Sequence, residues 1–308
     1  MNILHRRGFT TNNILYLGLG EMGHHIAGFF SKSFKTTVWN RTYSKTQLHQ
    51  TIYGTTGLPG DNPFRHNISD IDLLFSCLPT SKEIEYYADM FIETNPNRKN
   101  TLVWVDNTSG VPSHSKKIAE KLAAVNVGFI DAPVSGGRVG ASAGTLAVMV
   151  GGKAEHFFRA EPVLKTIAKS LQHIGEEVGS GHAVKAFNNL LYASNVLIGM
   201  KVVQSIEKSG INADKALRTI VNGSGGSTSI KRLHEFMLNN RSVEYRFKVN
   251  LLLKDMGIAL SQLEGSGDDK VVNIFKEVLK IFEEGAETDW DKLDVFDMFN
   301  FIENKVQS

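Results

Sequence analysis

With 308 residues, 42% of them apolar and only seven of them proline, the chain can build two domains with sizeable cores and lacks a disordered composition. Its 34 Lys and Arg against 32 Asp and Glu leave a formal net charge of +2, too even a balance for a nucleic-acid or membrane surface. Cys77 is the single cysteine, which excludes an internal disulfide and points to a reducing compartment, the cytoplasm.

Residues 1–13 carry His5, Arg6 and Arg7, and the first acid of the chain is Glu21. An acid-poor, Arg-bearing start has the character of a short mitochondrial presequence; the plainer alternative is a ragged segment ahead of the first strand. The apolar run Ile14-Leu15-Tyr16-Leu17 predicts a strand that ends in Gly18-Leu19-Gly20-Glu21-Met22-Gly23. A strand passing through G-x-G-x-x-G into a helix is a device for holding a pyrophosphate. Gly18 allows the tight turn, Gly20 lets the backbone approach the phosphates, Gly23 lets helix and strand pack closely, and the helix start offers N–H groups to the anion. His24 and His25 are adjacent, which on a helix should point them apart, and no His/Cys/Asp cluster has metal-site spacing, so no metal is expected.

Thr36-Thr37-Val38-Trp39 reads as the next strand, with Asn40-Arg41-Thr42 at its carboxyl end. A site that prefers NAD carries an acid about 20 residues past the glycines; here neutral Asn40 stands 22 residues after Gly18, and Arg41 follows it. An acid would repel a 2′-phosphate, whereas an arginine can hold one with forked, charge-assisted hydrogen bonds. The expected cofactor is therefore NADP(H), with NAD(H) second. Further strands are predicted at Ile71–Leu78, Leu102–Val105, Val127–Ile130 and Leu146–Val150, with helices between them such as Pro112–Ala124 and Ala154–Lys169. This alternation predicts a mostly parallel, doubly wound sheet whose ligands sit beyond the carboxyl ends of its strands.

After residue 180 the strand signals stop. Ala183–Ser209 predicts one long helix, apolar on most faces, which must be buried or in a membrane. Its charge-free stretch, Ala186–Met200, is 15 residues with three asparagines, short of the ~20 needed to span a bilayer. It is read as a buried spine packed by helices at 213–222, 229–239, 249–264 and 270–284, with a Gly/Ser-rich loop at Asn222–Ser229. The spine carries more apolar face than one small helical domain covers, so a homodimer or homotetramer is expected.

Three places bear residues suited to chemistry. Asp131-Ala132-Pro133-Val134-Ser135-Gly136-Gly137 follows a strand, and its hydroxyl and glycine N–H groups form a nest suited to a carboxylate, though any Gly-rich turn reads alike. Lys185 and Asn189 are four apart on the long helix and share a face; partial burial would lower the lysine pKa toward neutrality. Lys254-Asp255 reads by itself as a surface ion pair.

Four separated segments, Gly18–Gly23, Asp131–Gly137, Gly179–Asn189 and Lys254-Asp255, together resemble the β-hydroxyacid dehydrogenases, which include 3-hydroxyisobutyrate dehydrogenase, tartronate semialdehyde reductase and the glyoxylate/succinic semialdehyde reductases. The resemblance runs from Ile14 to about Phe299. It implies a Rossmann-type α/β domain at 12–178 and an all-α substrate and dimerisation domain at 179–308, built on the spine helix. It implies that Lys185 is the catalytic acid/base and that Ser135, Gly136, Gly137, Asn189, Phe247 and Asp255 surround a small carboxylate-bearing substrate. The cofactor contacts it implies are Gly18, Leu19, Gly20, Glu21, Met22, Gly23, Asn40, Arg41, Thr42, Leu78, Pro79, Ser109 and Lys254. Thr108-Ser109 inverts the family's Ser-Thr pair while keeping a hydroxyl, and Gly110 and Gly54–His66 depart from the family pattern. The rivals are an imine reductase on the same scaffold, which usually lacks the lysine, and a non-catalytic NADP-binding module.

Overall fold

A computed structural model describes residues 13–97, 101–242, 247–263, 269–287 and 293–305. The candidate targeting segment, but for Asn13, and Glu264 of the expected helix 249–264 lie outside them. The chain divides into two compact units, residues 1–185 and 186–308.

The first unit runs β1 (Asn13–Leu17), α1 (Gly23–Phe30), β2 (Lys35–Trp39), α2 (Tyr43–Tyr53), β3 (Thr56–Gly57), β4 (Leu73–Ser76), α3 (Ser81–Thr94), β5 (Leu102–Asp106), α4 (Pro112–Ala123) and β6 (Val127–Asp131). It continues through β7 (Val134–Ser135), α5 (Gly137–Ala143), β8 (Leu146–Gly151), α6 (Ala154–Leu164) and β9 (Ala168–Gly175) into the start of α7 (Ser180–Lys208). The sheet order is β3-β2-β1-β4-β5-β6-β8-β7, with β9 on β8. Strands β1 to β6 are parallel, and β8 runs antiparallel to β6 and β7. The order reverses between β1 and β4, which makes the crevice beyond their carboxyl ends the ligand position of a doubly wound sheet.

Alternation along the strands produces the two layers. Ile14, Tyr16, Phe75, Val103 and Val105 join Ile26, Ala27 and Phe30 of α1 in one core. Leu15, Leu17, Leu74 and Trp104 join Ile84 and Phe91 of α3 and Ile118 and Leu122 of α4 in the other.

Several expectations need correction. The helix expected at Ala154–Lys169 stops at Leu164, just past Pro162, and the missed strand β9 follows. That strand is a half-exposed edge with Lys169, Ser170 and Gln172 in it, so it lacks the apolar run that marks the buried strands. Strand β4 is shorter than Ile71–Leu78, because Leu78 turns aside to donate its N–H to Thr108 Oγ1 at 3.0 Å. His24 and His25 do not point apart: their rings lie 5.2 Å apart, edge to face, with His49 5.0 Å from His24. Burial lowers all three, His49 to about 4, and His49 is held between Thr55 Oγ1 and the His24 carbonyl.

The second unit is helical: the rest of α7, then α8 (Ala213–Val221), α9 (Thr228–Leu238), α10 (Val249–Leu263), α11 (Lys270–Ala286) and α12 (Met298–Lys305), the last not anticipated. Leu190, Val196, Met200 and Val203 of α7 are buried, and Gly199 lies where a Cβ would meet Ile230 and Leu233 of α9. The spine is not buried all round, however. Leu191, Ile198 and Val202 are 56%, 55% and 43% exposed, and spacings of seven and four place them on one stripe. Among the described residues no helix is long and apolar enough to cross a membrane.

Candidate active site

The glycine loop after β1 has the geometry its sequence requires. Gly18 has φ +97°, open to glycine, and a Cβ there would lie 2.7 Å from Leu78 Cδ2, so the Leu78-Pro79 turn flanks it. A Cβ on Gly23 would strike the Gly18 carbonyl, which is how closely α1 packs on β1. Nothing lies within 4 Å of where a Cβ on Gly20 would stand, leaving open backbone of the kind a pyrophosphate can approach. Asn40 braces the loop: its Oδ1 accepts from Leu19 N–H at 2.9 Å, and its Nδ2 donates to the Thr42 carbonyl at 3.1 Å. Arg41 is exposed, and the first turn of α2 beside it holds no acid.

The carboxyl ends of β5 and β6 meet the start of α7. The buried Asp131 carboxylate accepts from Gly179 N–H at 2.6 Å and from His182 N–H at 2.7 Å, placing a negative charge on the positive end of a 29-residue helix. His182, 1% exposed, bonds Ser115 Oγ through Nδ1 at 2.8 Å and the Thr108 carbonyl through Nε2 at 2.9 Å. Asp106 accepts from Ser76 Oγ at 2.8 Å and Thr108 N–H at 3.1 Å. Burial raises its carboxyl above the ordinary range, opposed by His182 and by these hydrogen bonds. The Thr108 hydroxyl is engaged with Leu78 N–H, and Ser109, half-buried, follows it. Lys185 is half-buried in the second turn of α7.

Between β7 and α5 the chain turns through Gly136 at φ +139° and Gly137 at φ +62°. Ser135 precedes them, paired with Ala147 of β8, and the first turn of α5 leaves its N–H groups without intrahelical acceptors. In the second unit, Asn189 and Asp255 are both buried, and Asn189 Nδ2 donates to Asp255 Oδ2 at 2.6 Å. Asn188 Nδ2 donates to Asn189 Oδ1 at 3.0 Å, and Lys254 Nζ lies 3.3 Å from Asp255 Oδ1. The Lys254-Asp255 pair is therefore no solvated surface pair, since Asp255 is only 2% exposed. Phe247 packs its ring 6.0 Å from Tyr192, which follows Asn189 by three positions.

Comparison with known proteins decides the family. The model of the NAD binding domain of 6-phosphogluconate dehydrogenase matches residues 13–175, and that of the NAD-binding domain of NADP-dependent 3-hydroxyisobutyrate dehydrogenase matches 179–299. The chain belongs to the β-hydroxyacid dehydrogenase family. It is an NAD(P)-dependent dehydrogenase or reductase acting on CH–OH groups. The uncharacterized oxidoreductase YkwC of Bacillus subtilis is 30% identical over 258 residues, 82% of this chain and 86% of that one. The 3-hydroxyisobutyrate dehydrogenase of Pseudomonas aeruginosa is 28% identical, covering 82% of this chain and 85% of its own. The solved 3-hydroxyisobutyrate dehydrogenase of Mycobacterium tuberculosis shares the fold with a TM-score of 0.81 at 21% identity, over 95% of this chain and 99% of that one. An imine reductase from a Pseudomonas species shares it more distantly, at TM-score 0.62 and 15% identity over 94% and 99% of the two chains.

Sequence reading missed Asp106 and Ser115, and gave no role to Asp131 and His182, which stand within the segments that carry the family resemblance. Their one signal was a carboxylate closing each of two consecutive apolar strands, Asp106 after Leu102–Val105 and Asp131 after Val127–Ile130. An acid at that end of a buried parallel strand must find donors, and here it finds those of a helix start and a turn.

Proposed function

We propose that this chain transfers hydride between NADP(H) and a small β-hydroxyacid or its semialdehyde or keto acid, with Lys185 as general acid/base. The observation that carries the reading is a half-buried lysine on the second turn of a helix whose first turn is pinned by Asp131. Residues 12–178 are assigned to the cofactor and 179–308 to the substrate and to self-association. Gly18, Leu19, Gly20, Glu21, Met22 and Gly23 would receive the pyrophosphate, Asn40, Arg41 and Thr42 the adenosine ribose, and Leu78, Pro79, Ser109 and Lys254 the remainder. When bound, the nicotinamide supplies or accepts the hydride.

In reduction Lys185, as an ammonium, gives a proton to the developing alkoxide; in oxidation the neutral amine takes the hydroxyl proton. Ser135, Gly136 and Gly137 hold the substrate carboxylate and so fix the reacting carbon. Asn189, held by Asp255, is assigned to orient the substrate hydroxyl or Lys185, and Phe247 and Asp255 are assigned to the substrate. A reducing compartment, the cytoplasm, suits the lone Cys77. The deciding experiment is a steady-state assay on glyoxylate, succinic semialdehyde, methylmalonate semialdehyde and tartronate semialdehyde with NADPH and NADH in parallel. Turnover of at least one supports the reading. Turnover of a cyclic imine alone would transfer it to the imine reductases, and tight NADPH binding without any turnover to a binding module.

Two further results are expected. NADPH binds more tightly than NADH, and Arg41→Ala shrinks that preference by about tenfold or more, since a charged hydrogen bond is worth roughly 1.5–3 kcal/mol. Fluorescence titrations giving equal wild-type affinities would remove the NADP assignment. The exposed stripe of Leu191, Ile198 and Val202 implies self-association, so sedimentation at micromolar concentration should give at least a dimer. A 34.0 kDa monomer would count against it.

A further inference from the structure

We propose that His182 is a positioning residue that locks the start of α7 to the strand ends and so fixes Lys185, and that Gly110 is a glycine to make room for its ring. The inference rests on the reading of Lys185 as acid/base.

The Thr108 carbonyl can only accept, so His182 Nε2 carries a proton and donates to it at 2.9 Å. Nδ1 lies 2.8 Å from the Ser115 hydroxyl, which also reaches the Val111 carbonyl at 3.2 Å, so both nitrogens of the buried imidazole have partners. The backbone N–H of the same residue reaches Asp131 Oδ2 at 2.7 Å. One residue thereby ties three places together: the turn after β5, α4 through Ser115, and the end of β6. Thr108 extends the tie to the turn after β4 through Leu78 N–H at 3.0 Å. Lys185 lies three positions after His182, on the neighbouring turn of the same helix face, so a slip of the helix start moves its amine.

The glycines around the lock show that it was given space. A Cβ on Gly110 would lie 2.6 Å from His182 Cε1, 2.9 Å from its Nδ1 and 2.9 Å from Ser81 Oγ, so the imidazole is its nearest neighbour. One on Gly151 would lie 2.7 Å from Asp131 Oδ1, and one on Gly181 2.9 Å from Asp131 Oδ2. None of these three glycines has a positive φ, so what they provide is room and not backbone freedom. This accounts for the departure from the family pattern at Gly110: a side chain there and the imidazole of His182 exclude one another.

The test measures kcat, KM and NADPH affinity for wild type, His182→Ala, His182→Gln, Gly110→Ala and the 110/182 double alanine variant. His182→Ala should lower kcat by about 10- to 100-fold, the scale of a misplacement near 1 Å, with KM and NADPH affinity within about twofold. His182→Gln, whose amide can still donate to Thr108, should recover most of the loss. Gly110→Ala should lower kcat by itself yet cost clearly less on top of His182→Ala, where only the Ser81 hydroxyl still stands close to the added methyl, a non-additivity expected if the two groups compete for one space. Wild-type kcat in His182→Ala, no recovery by glutamine, or equal cost of Gly110→Ala in both backgrounds overturns the proposal. Should His182→Ala not fold, wild-type kcat in Gly110→Ala overturns the proposal. If the wild type turns over none of the four aldehydes, the functional reading fails instead. The lock is then judged by the coupling of the same two substitutions in thermal unfolding, where additivity overturns it.

Discussion

Lys185→Ala lowers kcat by at least ~10²-fold and leaves the affinity for NADPH nearly unchanged. Alanine removes the one group in the proposed chemistry able to exchange a proton with the substrate oxygen, and water is a poorer acid that is not held in place. The cofactor contacts assigned to the loops after β1, β2 and β4 do not involve this side chain, so binding and chemistry should separate. Pre-steady-state measurement of the hydride step, with NADPH binding followed by fluorescence, makes that separation visible. Near-normal turnover of Lys185→Ala would strip the residue of its role.

Replacing the substrate carboxylate by a neutral amide of similar size lowers kcat/KM by about 10²-fold. A hydrogen bond to a charged acceptor is worth roughly 1.5–3 kcal/mol and one to a neutral acceptor roughly 0.5–1.5, so each of three donors loses about 1 kcal/mol when the charge is removed. The donors proposed are Ser135 and the N–H groups of Gly136 and Gly137, where φ values of +139° and +62° are open to glycine and strained for other residues. Gly137→Val should therefore lower kcat/KM on the acid to a similar degree while NADPH affinity stays intact. Its melting temperature shows whether the strain is local. Equal turnover of acid and amide would refute the carboxylate nest and favour the imine reductase reading.

The parts of the molecule readable in advance are those whose cause is local along the chain. The glycine loop was legible because turn, phosphate approach and helix packing each demand glycine at a set offset from a strand. The long helix was legible because its apolar run leaves no alternative to regular hydrogen bonding over 29 residues. Strand β9 was not, since an edge strand half in water needs little apolar patterning. The exposure of Leu191, Ile198 and Val202 was not either, because helical period tells which residues share a stripe and not whether a neighbour covers it.

The same division runs through the candidate site. The residue types that mark it, Gly18, Ser135, Lys185 and Asn189, stand in the chain at spacings that local geometry explains. The support beneath them does not follow from spacing: Asp131 meets Gly179 N–H across 48 positions, and His182 meets Thr108 and Ser115 across 74 and 67. Sequence order alone carries no record of such meetings, because a buried carboxylate or imidazole is satisfied by whichever donors and acceptors the packed strands and helices bring to it. Asn40 makes the point in small. Its place after β2 marked it for the cofactor, and the fold engages its amide with the Leu19 N–H and the Thr42 carbonyl, bracing the glycine loop from within.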